Sequence, residues 1–211
     1  MPDDAPLILS FDTSAAHCAA ALLSDETVLA ERREEMARGQ SERLLPLCDE
    51  LLRSAGRDLS ALSALGVGIG PGNFTGIRIA VSAARGLALG LGIPAVGVSA
   101  FDALRLGSTG PCACAVEAPR GMVYLKVFGA QPDDFAPPEP LLVSAAELPP
   151  HDGPLIGACG QRPAHATATA IALIARARFA QLSHPGQRPA PLYLRPADAA
   201  PARDAPPRIL P

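Results

Sequence analysis

The chain has 211 residues, of which 48% are hydrophobic and 18% charged, and its formal net charge at pH 7 is −3. This length can bury a sizeable core, in one domain or in two small ones, while the charge balance lacks the basic excess with which a protein binds nucleic acid by itself. The five cysteines form no Cys-x-x-Cys pair, so the sequence indicates neither a zinc ribbon nor a redox dithiol but reduced thiols in a cytosolic protein.

The first residues and the glycines and proline of one long uncharged stretch argue against export and membrane insertion. Asp3 and Asp4 precede the first apolar run, whereas a secretory signal begins with positive charge. The uncharged stretch 86–101 is interrupted by glycines and by Pro94, so it cannot supply the ~20 apolar residues of a membrane span. We therefore expect a soluble, cytoplasmic protein with no membrane contact.

The first 56 residues predict a strand, a hairpin and a helix. Residues 7–11 are a short apolar run typical of a strand, and residues 16–36 predict two strands around a turn at Ser24-Asp25-Glu26. Residues 41–55 place leucines on a broad helical stripe, with Ser41 as the predicted N-cap and Gly56 as the stop.

The next segment predicts a strand, a helix and a further strand. Residues 64–69 form an apolar run, a glycine-rich turn follows, and Thr75 is the predicted cap of a helix over 75–91 that leads to a strand at 95–98. Strands separated by helices normally pair in parallel, whereas a hairpin is antiparallel. The order β-β-β-α-β-α-β therefore predicts an α/β fold with a mixed sheet flanked by helices.

The remainder of the chain predicts a smaller second lobe. Residues 112–118 and 122–130 indicate another hairpin, residues 155–160 another strand, and residues 164–181 a last helix rich in alanine. We assign residues 1–105 to the first lobe and 106–195 to the second. The proline-rich segment 196–211 is the predicted flexible tail.

The glycine-rich turn at Gly70, Pro71 and Gly72 is open to two interpretations. A glycine turn that opens a helix can bind phosphate through free backbone N–H groups. No Lys-Ser/Thr pair follows it and its spacing is not GxGxxG, so we favour a structural turn, capped by Thr75, that sets the entry angle of the helix.

The residues after the first strand resemble the first phosphate loop of actin-like ATPases and sugar kinases. Asp12, Thr13 and Ser14 follow the strand, but Ser14 stands where that loop has a glycine, which predicts a vestigial phosphate loop. Asp12 and Glu117 are either an acid/base pair in a cleft or strand-end carboxylates that bond turn amides. No two histidines lie three or four residues apart, so we assign no metal, and we assign no cofactor and no catalytic residue.

Small residues recur at every fourth position of the helix predicted at 75–91. One series is Gly76, Ala80, Ala84 and Ala88, and Gly86 and Gly90 form another such pair. A helix face without bulk lets another backbone approach closely. That backbone belongs either to the same fold or to a partner, and Arg78 and Arg85 either pair with a partner's carboxylates or are solvated.

Four stretches together closely resemble the bacterial TsaB (YeaZ) family, namely ILSFDTS, SERLLPLCDELL, VGIGPGNFTGIRIAVSAARGLALGLGIPAVGVSAFDAL and PLYLR. Members of that family are subunits of the machinery that makes threonylcarbamoyladenosine in tRNA. The resemblance implies an actin-like ATPase (ribonuclease H-like) fold with two lobes, the second reduced. Gln40, Asn73 and Glu117 depart from the residues usual in the family.

The resemblance also implies a function and an interface. It implies a non-catalytic scaffold that binds and activates a catalytic paralogue, TsaD, during threonylcarbamoyl transfer to the adenosine next to the tRNA anticodon. It implies a heterodimer through helices 41–55 and 75–91, a homodimer when the chain is alone, and the TsaE ATPase in a larger complex. The interface expected from these helices comprises Leu44, Leu45, Cys48, Leu51, Leu52, Gly76, Arg78, Ala80, Ala84 and Ala88. The alternative is an independent nucleotide hydrolase or a protease-like enzyme of the same fold.

Overall fold

A computed structural model describes residues 5–129, 139–181 and 188–194 of the protein. The predicted tail, 196–211, lies outside the described residues. Within them the chain forms nine strands and four α-helices. Their bounds are β1 Leu7–Asp12, β2 His17–Ser24, β3 Thr27–Glu35, α1 Gln40–Ser54, β4 Ala64–Gly68, α2 Phe74–Leu91, β5 Ala95–Val98, α3 Ala100–Arg105, β6 Cys112–Ala118, β7 Met122–Phe128, β8 Leu141–Ser144, β9 Leu155–Gly157 and α4 Thr167–Phe179.

The first sheet has five strands in the order β3-β2-β1-β4-β5. β2 and β3 form the predicted antiparallel hairpin, β1 pairs antiparallel with β2, and β4 pairs in parallel with both β1 and β5. This mixed sheet, flanked by helices and followed by a second lobe, confirms the expected α/β fold of the actin-like ATPase (ribonuclease H-like) class. The carboxyl ends of β1 and β4 lie side by side, which brings the turns after them together.

Helices cover both faces of this sheet, so its central strand is buried along its whole length and is mostly apolar. Leu9 and Phe11 of β1 face α1 and α2 in one core cluster, whereas Ile8 faces α4 in another. Side chains alternate across a strand, and a strand buried on both faces reads as a continuous apolar run. All six residues of β1 are buried.

The second sheet has four strands in the order β8-β7-β6-β9. The predicted hairpin of β6 and β7 is its centre, with β8 antiparallel to β7 and β9 parallel to β6. Phe101 of α3 packs against Cys112, Cys114 and Tyr124 on one face of this sheet. α3 and β8 are two elements that the sequence pattern does not predict.

The last helix corrects the expected division of the chain. We assigned α4 to the second lobe, but its contacts are with β1, β2, β4 and β5 of the first sheet. Arg178 extends this packing, since its Nη2 lies 2.8 Å from Asp102 and its Nη1 donates to the carbonyl of Gly97. The helices that enclose the first sheet therefore come from two parts of the chain. α1 and α2 precede the strands of the second sheet in the sequence, and α4 follows them.

The start of α1 also differs from the prediction. The helix begins at Gln40, one residue before the predicted cap Ser41, and the N-cap is Gly39, which adopts a left-handed conformation with φ 90° and has no side chain to cap with. At its other end α1 stops at Ser54, and Gly56 lies just beyond with φ +64°. The predicted stop is therefore confirmed and the predicted cap is wrong.

Candidate functional site

The turn after β1 is held together by one carboxylate oxygen. Oδ2 of Asp12 accepts hydrogen bonds from the backbone N–H of Ser14 at 3.0 Å, from Oγ of Ser14 at 2.9 Å and from Nε2 of His17 at 2.8 Å. Asp12 and His17 are both buried. Ser14 therefore donates to the carboxylate rather than to the histidine, which is not the order in which a base activates a serine nucleophile.

The glycine-rich turn packs directly on this Asp12 turn. Thr13 Oγ1 donates to the carbonyl of Gly76 at 2.6 Å, and the N–H of Asn73 donates to the carbonyl of Ser14 at 2.6 Å. A Cβ at Gly76 would overlap the carbonyl oxygen of Thr13, and one at Gly72 would overlap that of Ser14. The glycines thus allow two backbones to touch, as a tight structural turn requires.

The amino-terminal end of α2 is capped within the chain. Oδ1 of Asn73 accepts from the N–H of Gly76 at 2.8 Å, and the helix begins at Phe74. Our prediction of Thr75 as the cap is wrong, because Thr75 already lies in the first turn and the cap side chain must precede the helix. An asparagine three residues before Gly76 is a capping signal that the sequence contained.

A cleft of about 780 Å³ opens beside these turns. It is lined by the first turn at Ser14, by Asn73 and Phe74, by Glu117 and Tyr124 of the second lobe, and by the segment 192–194. Asp12 does not line it, since that carboxylate is buried and bonded to its own turn. The cleft therefore does not combine Asp12 with Glu117 as an acid/base pair. Within the described part of the chain no cluster of three His, Cys, Asp or Glu side chains could hold a metal ion.

The segment 188–194 lies across both lobes. The N–H of Leu192 donates to the carbonyl of Ile69 at 2.8 Å, and Leu194 packs against the core of the second lobe. Tyr193 stacks on Phe74 with ring centroids 4.8 Å apart, and its hydroxyl accepts from Nε of Arg78 at 2.8 Å. The guanidinium of Arg78 also lies over the Phe74 ring, 3.8 Å from its centroid.

Most of the expected interface residues are covered by the chain's own sheet. The α1 and α2 residues that face the core of the first lobe are Leu44, Cys48, Leu51, Leu52, Gly76, Ala80 and Ala84. Ala84, for example, is 0% exposed. We placed these seven residues on a partner-facing surface, and the structure corrects this, because the small-residue series lets α2 lie close to its own sheet. Leu45 at 49% and Arg78 remain exposed, and Ala88 is half-buried.

The opposite side of α2 is uncovered within the described part of the chain. An added Cβ at Gly86 or at Gly90 would meet no described heavy atom within 4 Å, and Leu89 is 79% exposed. We define the open face of α2 as the exposed residues Arg78, Ser82, Arg85, Gly86, Leu89 and Gly90. Ser82, Gly86 and Gly90 make a stripe without bulk at every fourth residue, which the Gly86 and Gly90 pair had indicated.

By length and composition alone α2 could cross a membrane, and it is the one such helix among the described residues. Five of its 18 residues are buried. Ile77, Val81 and Ala84 close the core of the first lobe, so one side of α2 is already occupied by the sheet. The outward side of α2 carries glycines and Leu89 as well as its two arginines, whereas the outward side of a surface helix is usually polar or charged throughout.

The cysteines are reduced and mostly buried. Burial raises the pKa of the Cys18 thiol to about 11 and that of Cys48 to about 12, and burial also raises the pKa of Cys114 to about 12. A thiol with a raised pKa is a poor nucleophile at neutral pH. Cys159 is the exposed cysteine.

Comparison with known proteins gives a family for this fold. A family model described as TsaD, tRNA N6-adenosine threonylcarbamoyltransferase, matches residues 27–187. The tRNA threonylcarbamoyladenosine biosynthesis protein TsaB of Escherichia coli K12 is 39% identical over 122 residues, which cover 56% of this chain and 52% of that protein. An uncharacterized protein of Mycobacterium tuberculosis H37Rv, Rv3421c, is 32% identical over 204 residues, covering 92% of this chain and 94% of that protein.

A solved structure agrees with these sequence matches. YeaZ from Pseudomonas aeruginosa superposes with a TM-score of 0.68 at 29% identity, covering 90% of this chain and 100% of that one. The protein is thus a two-lobed α/β protein of the actin-like ATPase class whose Asp12 turn is closed by its own glycine-rich turn. The chain belongs to the family that the matching model describes, and within that family to the TsaB (YeaZ) proteins. The matched segment spans about half the length of the TsaB relative from Escherichia coli.

Proposed function

We propose that this protein is a non-catalytic scaffold subunit in the biosynthesis of threonylcarbamoyladenosine in tRNA. In this role it binds the TsaD paralogue and holds it in its active arrangement during threonylcarbamoyl transfer to the adenosine next to the anticodon. The observation that carries the proposal is the open face of α2, which residues 5–129, 139–181 and 188–194 leave uncovered. The names of the TsaB relatives support the pathway.

The closed Asp12 turn supports the non-catalytic part of the proposal. Phosphate binding at such a turn requires free backbone N–H groups. Here the N–H of Ser14 donates to Asp12, the N–H of Asn73 donates to Ser14, and the N–H of Gly76 donates to Asn73. Three donors of the two turns are therefore engaged inside the chain, which supports a vestigial phosphate loop.

The interface in this proposal uses the outward sides of both helices. On α2 it consists of the open face, and on α1 it includes Leu45, which is 49% exposed. A stripe without bulk lets a partner helix approach closely, and Leu89 supplies apolar area to bury. In a larger complex the TsaE ATPase joins this pair, and a second copy takes TsaD's place when TsaD is absent.

The test fills the stripe while keeping the fold. The Gly86→Trp variant places a large side chain in open space, so the chain remains folded but a helix can no longer approach. We expect co-purification with TsaD from the same organism to be lost, and threonylcarbamoyladenosine in tRNA to fall in a deletion strain that carries the variant. Ala177→Trp, at an exposed position of α4, is the matched control and leaves both unchanged. Full complex formation by Gly86→Trp would contradict the proposal.

An independent nucleotide hydrolase or protease-like enzyme is the second candidate, and the cleft of about 780 Å³ is the observation that favours it. Glu117 and Tyr124 give that cleft an acidic and a hydroxyl group. The purified chain without any partner would then hydrolyse ATP or cleave TsaD, and the Glu117→Gln variant would lose that activity. If the unaltered chain and Glu117→Gln both hydrolyse ATP and cleave TsaD only at the background rate, the scaffold is supported instead.

A further inference from the structure

The open face of α2 carries positive charge and no negative charge. Across its 18 residues α2 contains two ionisable side chains, Arg78 and Arg85, and no carboxylate. Neither arginine forms an ion pair with a carboxylate of residues 5–129, 139–181 or 188–194. The two lie seven residues apart on one side of the helix, which at 1.5 Å per residue is a separation of about 10 Å, or two turns.

Arg78 is held in position for an anion. Its guanidinium stacks on the Phe74 ring, and its Nε donates to the hydroxyl of Tyr193. Both Nη atoms are without a hydrogen-bond partner among the described residues. A guanidinium whose orientation is fixed loses little conformational entropy when it binds a carboxylate, and its planar fork suits two parallel hydrogen bonds.

The uncharged part of the open face specifies a helix as the occupant. Ser82, Gly86 and Gly90 lie at every fourth residue and leave a channel along α2, with Leu89 beside it. Ridges of one helix fit such a groove of another. A partner helix seated there would place side chains two turns apart opposite Arg78 and Arg85.

A second copy of this chain is a poor source of the matching carboxylates. Its α2 contains none, so pairing of α2 with α2 brings arginines together. The exposed acids of α1 are already engaged: Glu42 accepts from Ser41, Asp49 pairs with Arg53 at 2.8 Å, and Glu50 pairs with Arg43 at 2.6 Å. Each of these carboxylates already has a polar partner within its own chain.

From this charge pattern we infer that the open face of α2 selects a helix of a non-identical partner that carries two carboxylates about two turns apart, one bound by Arg78 and one by Arg85. The inference rests on the proposed function, because it describes the partner at the same interface. It adds a rule for choosing that partner, since charge complementarity favours an acidic helix over a second copy.

Charge reversal at Arg85 tests the rule, because Arg85 stacks on no aromatic ring of the described residues. The affinity of the full chain for purified TsaD from the same organism is measured by calorimetry at about 0.05 M and 0.5 M salt. We expect Arg85→Glu to weaken binding about tenfold at the lower salt concentration and less at the higher one, since salt screens exposed charges. A Glu→Arg or Asp→Arg change on one TsaD helix should restore the affinity of Arg85→Glu.

The matched control is Arg162→Glu, which makes the same change at an exposed arginine outside α2 and should bind TsaD like the unaltered chain. Equal affinities of Arg85→Glu and the unaltered chain at low salt would overturn the inference and leave the proposed function intact. Failure of the unaltered chain to bind TsaD would overturn both. A homodimer that Arg85→Glu dissociates, or tRNA binding that it abolishes while TsaD binding persists, would assign the face to another occupant and also overturn the inference.

Discussion

At the scale of single residues, two glycines of α2 have opposite roles. Gly76 faces inward, where a Cβ would overlap the backbone carbonyl of Thr13, whereas Gly86 faces outward into open space. Both are glycines in one helix, so helix propensity treats them alike. What distinguishes them is the Asp12 turn, which lies against one and not the other.

Alanine substitution at these two positions should therefore change stability in opposite directions. Gly76→Ala cannot be accommodated by a side-chain rotation, because the atom in the way belongs to the backbone, and we expect the free energy of unfolding to fall by about 3 kcal/mol. Gly86→Ala should raise it by about 0.5–1 kcal/mol, since alanine is the better helix former. Urea unfolding of both variants and the unaltered chain measures this. Equal stability of the two variants would contradict the account of the turn.

The sequence predicted that the glycine-rich turn is a tight structural turn, but not that it packs on the Asp12 turn. The glycine spacing and the missing Lys-Ser/Thr pair were sufficient to favour a structural role over a phosphate site. The turn packs on Asp12, Thr13 and Ser14 because β1 and β4 are adjacent in the sheet. The local sequence pattern does not predict that adjacency. Two cap-forming residues, Asn73 and Thr75, lie two positions apart, and the geometry of the Asp12 turn favours Asn73 as the cap.

At the scale of elements, α1 is joined to β3 by a charged network around Arg43. Nε and Nη2 of Arg43 each lie 2.7 Å from an oxygen of Glu34, and Nη1 lies 2.6 Å from Glu50. Hydrogen bonds from Arg43 lower the pKa of both Glu34 and Glu50 below the usual value of glutamate. A carboxylate with a lowered pKa stabilises the fold above its unfolded pKa, and this contribution is lost as the pH falls through the folded value.

Removal of the Arg43 charge should therefore matter at neutral pH and not in acid. We expect Arg43→Met, which keeps the apolar stem, to lower the free energy of unfolding between pH 5 and pH 8. Below pH ~4.3, where glutamate protonates in the unfolded chain, the difference should shrink. Arg53→Met is the control, because its pair with Asp49 is exposed and contributes little. A difference between Arg43→Met and the unaltered chain that stays constant down to pH 3 would argue against the network.

The sequence did not predict which face of α2 packs on the sheet and which is exposed. Both Gly76-Ala80-Ala84 and Ser82-Gly86-Gly90 are small residues at every fourth position, so size alone does not distinguish the inward series from the outward one. The neighbours do: Ile77 and Val81 flank the first series and are buried, whereas Arg78 and Arg85 flank the second and are exposed. Weighing the flanking residues would have placed the open face correctly.

At the scale of the whole molecule, the segments that close the first lobe come from distant parts of the chain. α4 covers one face of the first sheet, and the segment 188–194 places Tyr193 on Phe74 and Arg78 at the amino-terminal end of α2. The alanine-rich sequence of α4 is apolar on nearly all sides, so the spacing of its apolar residues does not predict which face packs against a sheet. The lobe assignment failed there for that reason, while the family resemblance, carried by local motifs, was confirmed.

The central claim for the whole molecule is that the open face of α2 is covered by TsaD in the complex. The most direct test follows the rate at which N-ethylmaleimide alkylates single cysteines placed on the surface. Cys159 is first replaced by serine, because it is the exposed native cysteine and the other four are buried. Ser82→Cys then reports on the open face, and Ala177→Cys reports on the exposed side of α4.

The rates are measured by mass spectrometry of this chain, with and without saturating TsaD. If TsaD covers the open face of α2, it slows alkylation at Ser82→Cys about tenfold or more and leaves the rate at Ala177→Cys unchanged. Alkylation of Ser82→Cys at the same rate in the free chain and in a fully formed complex would contradict it.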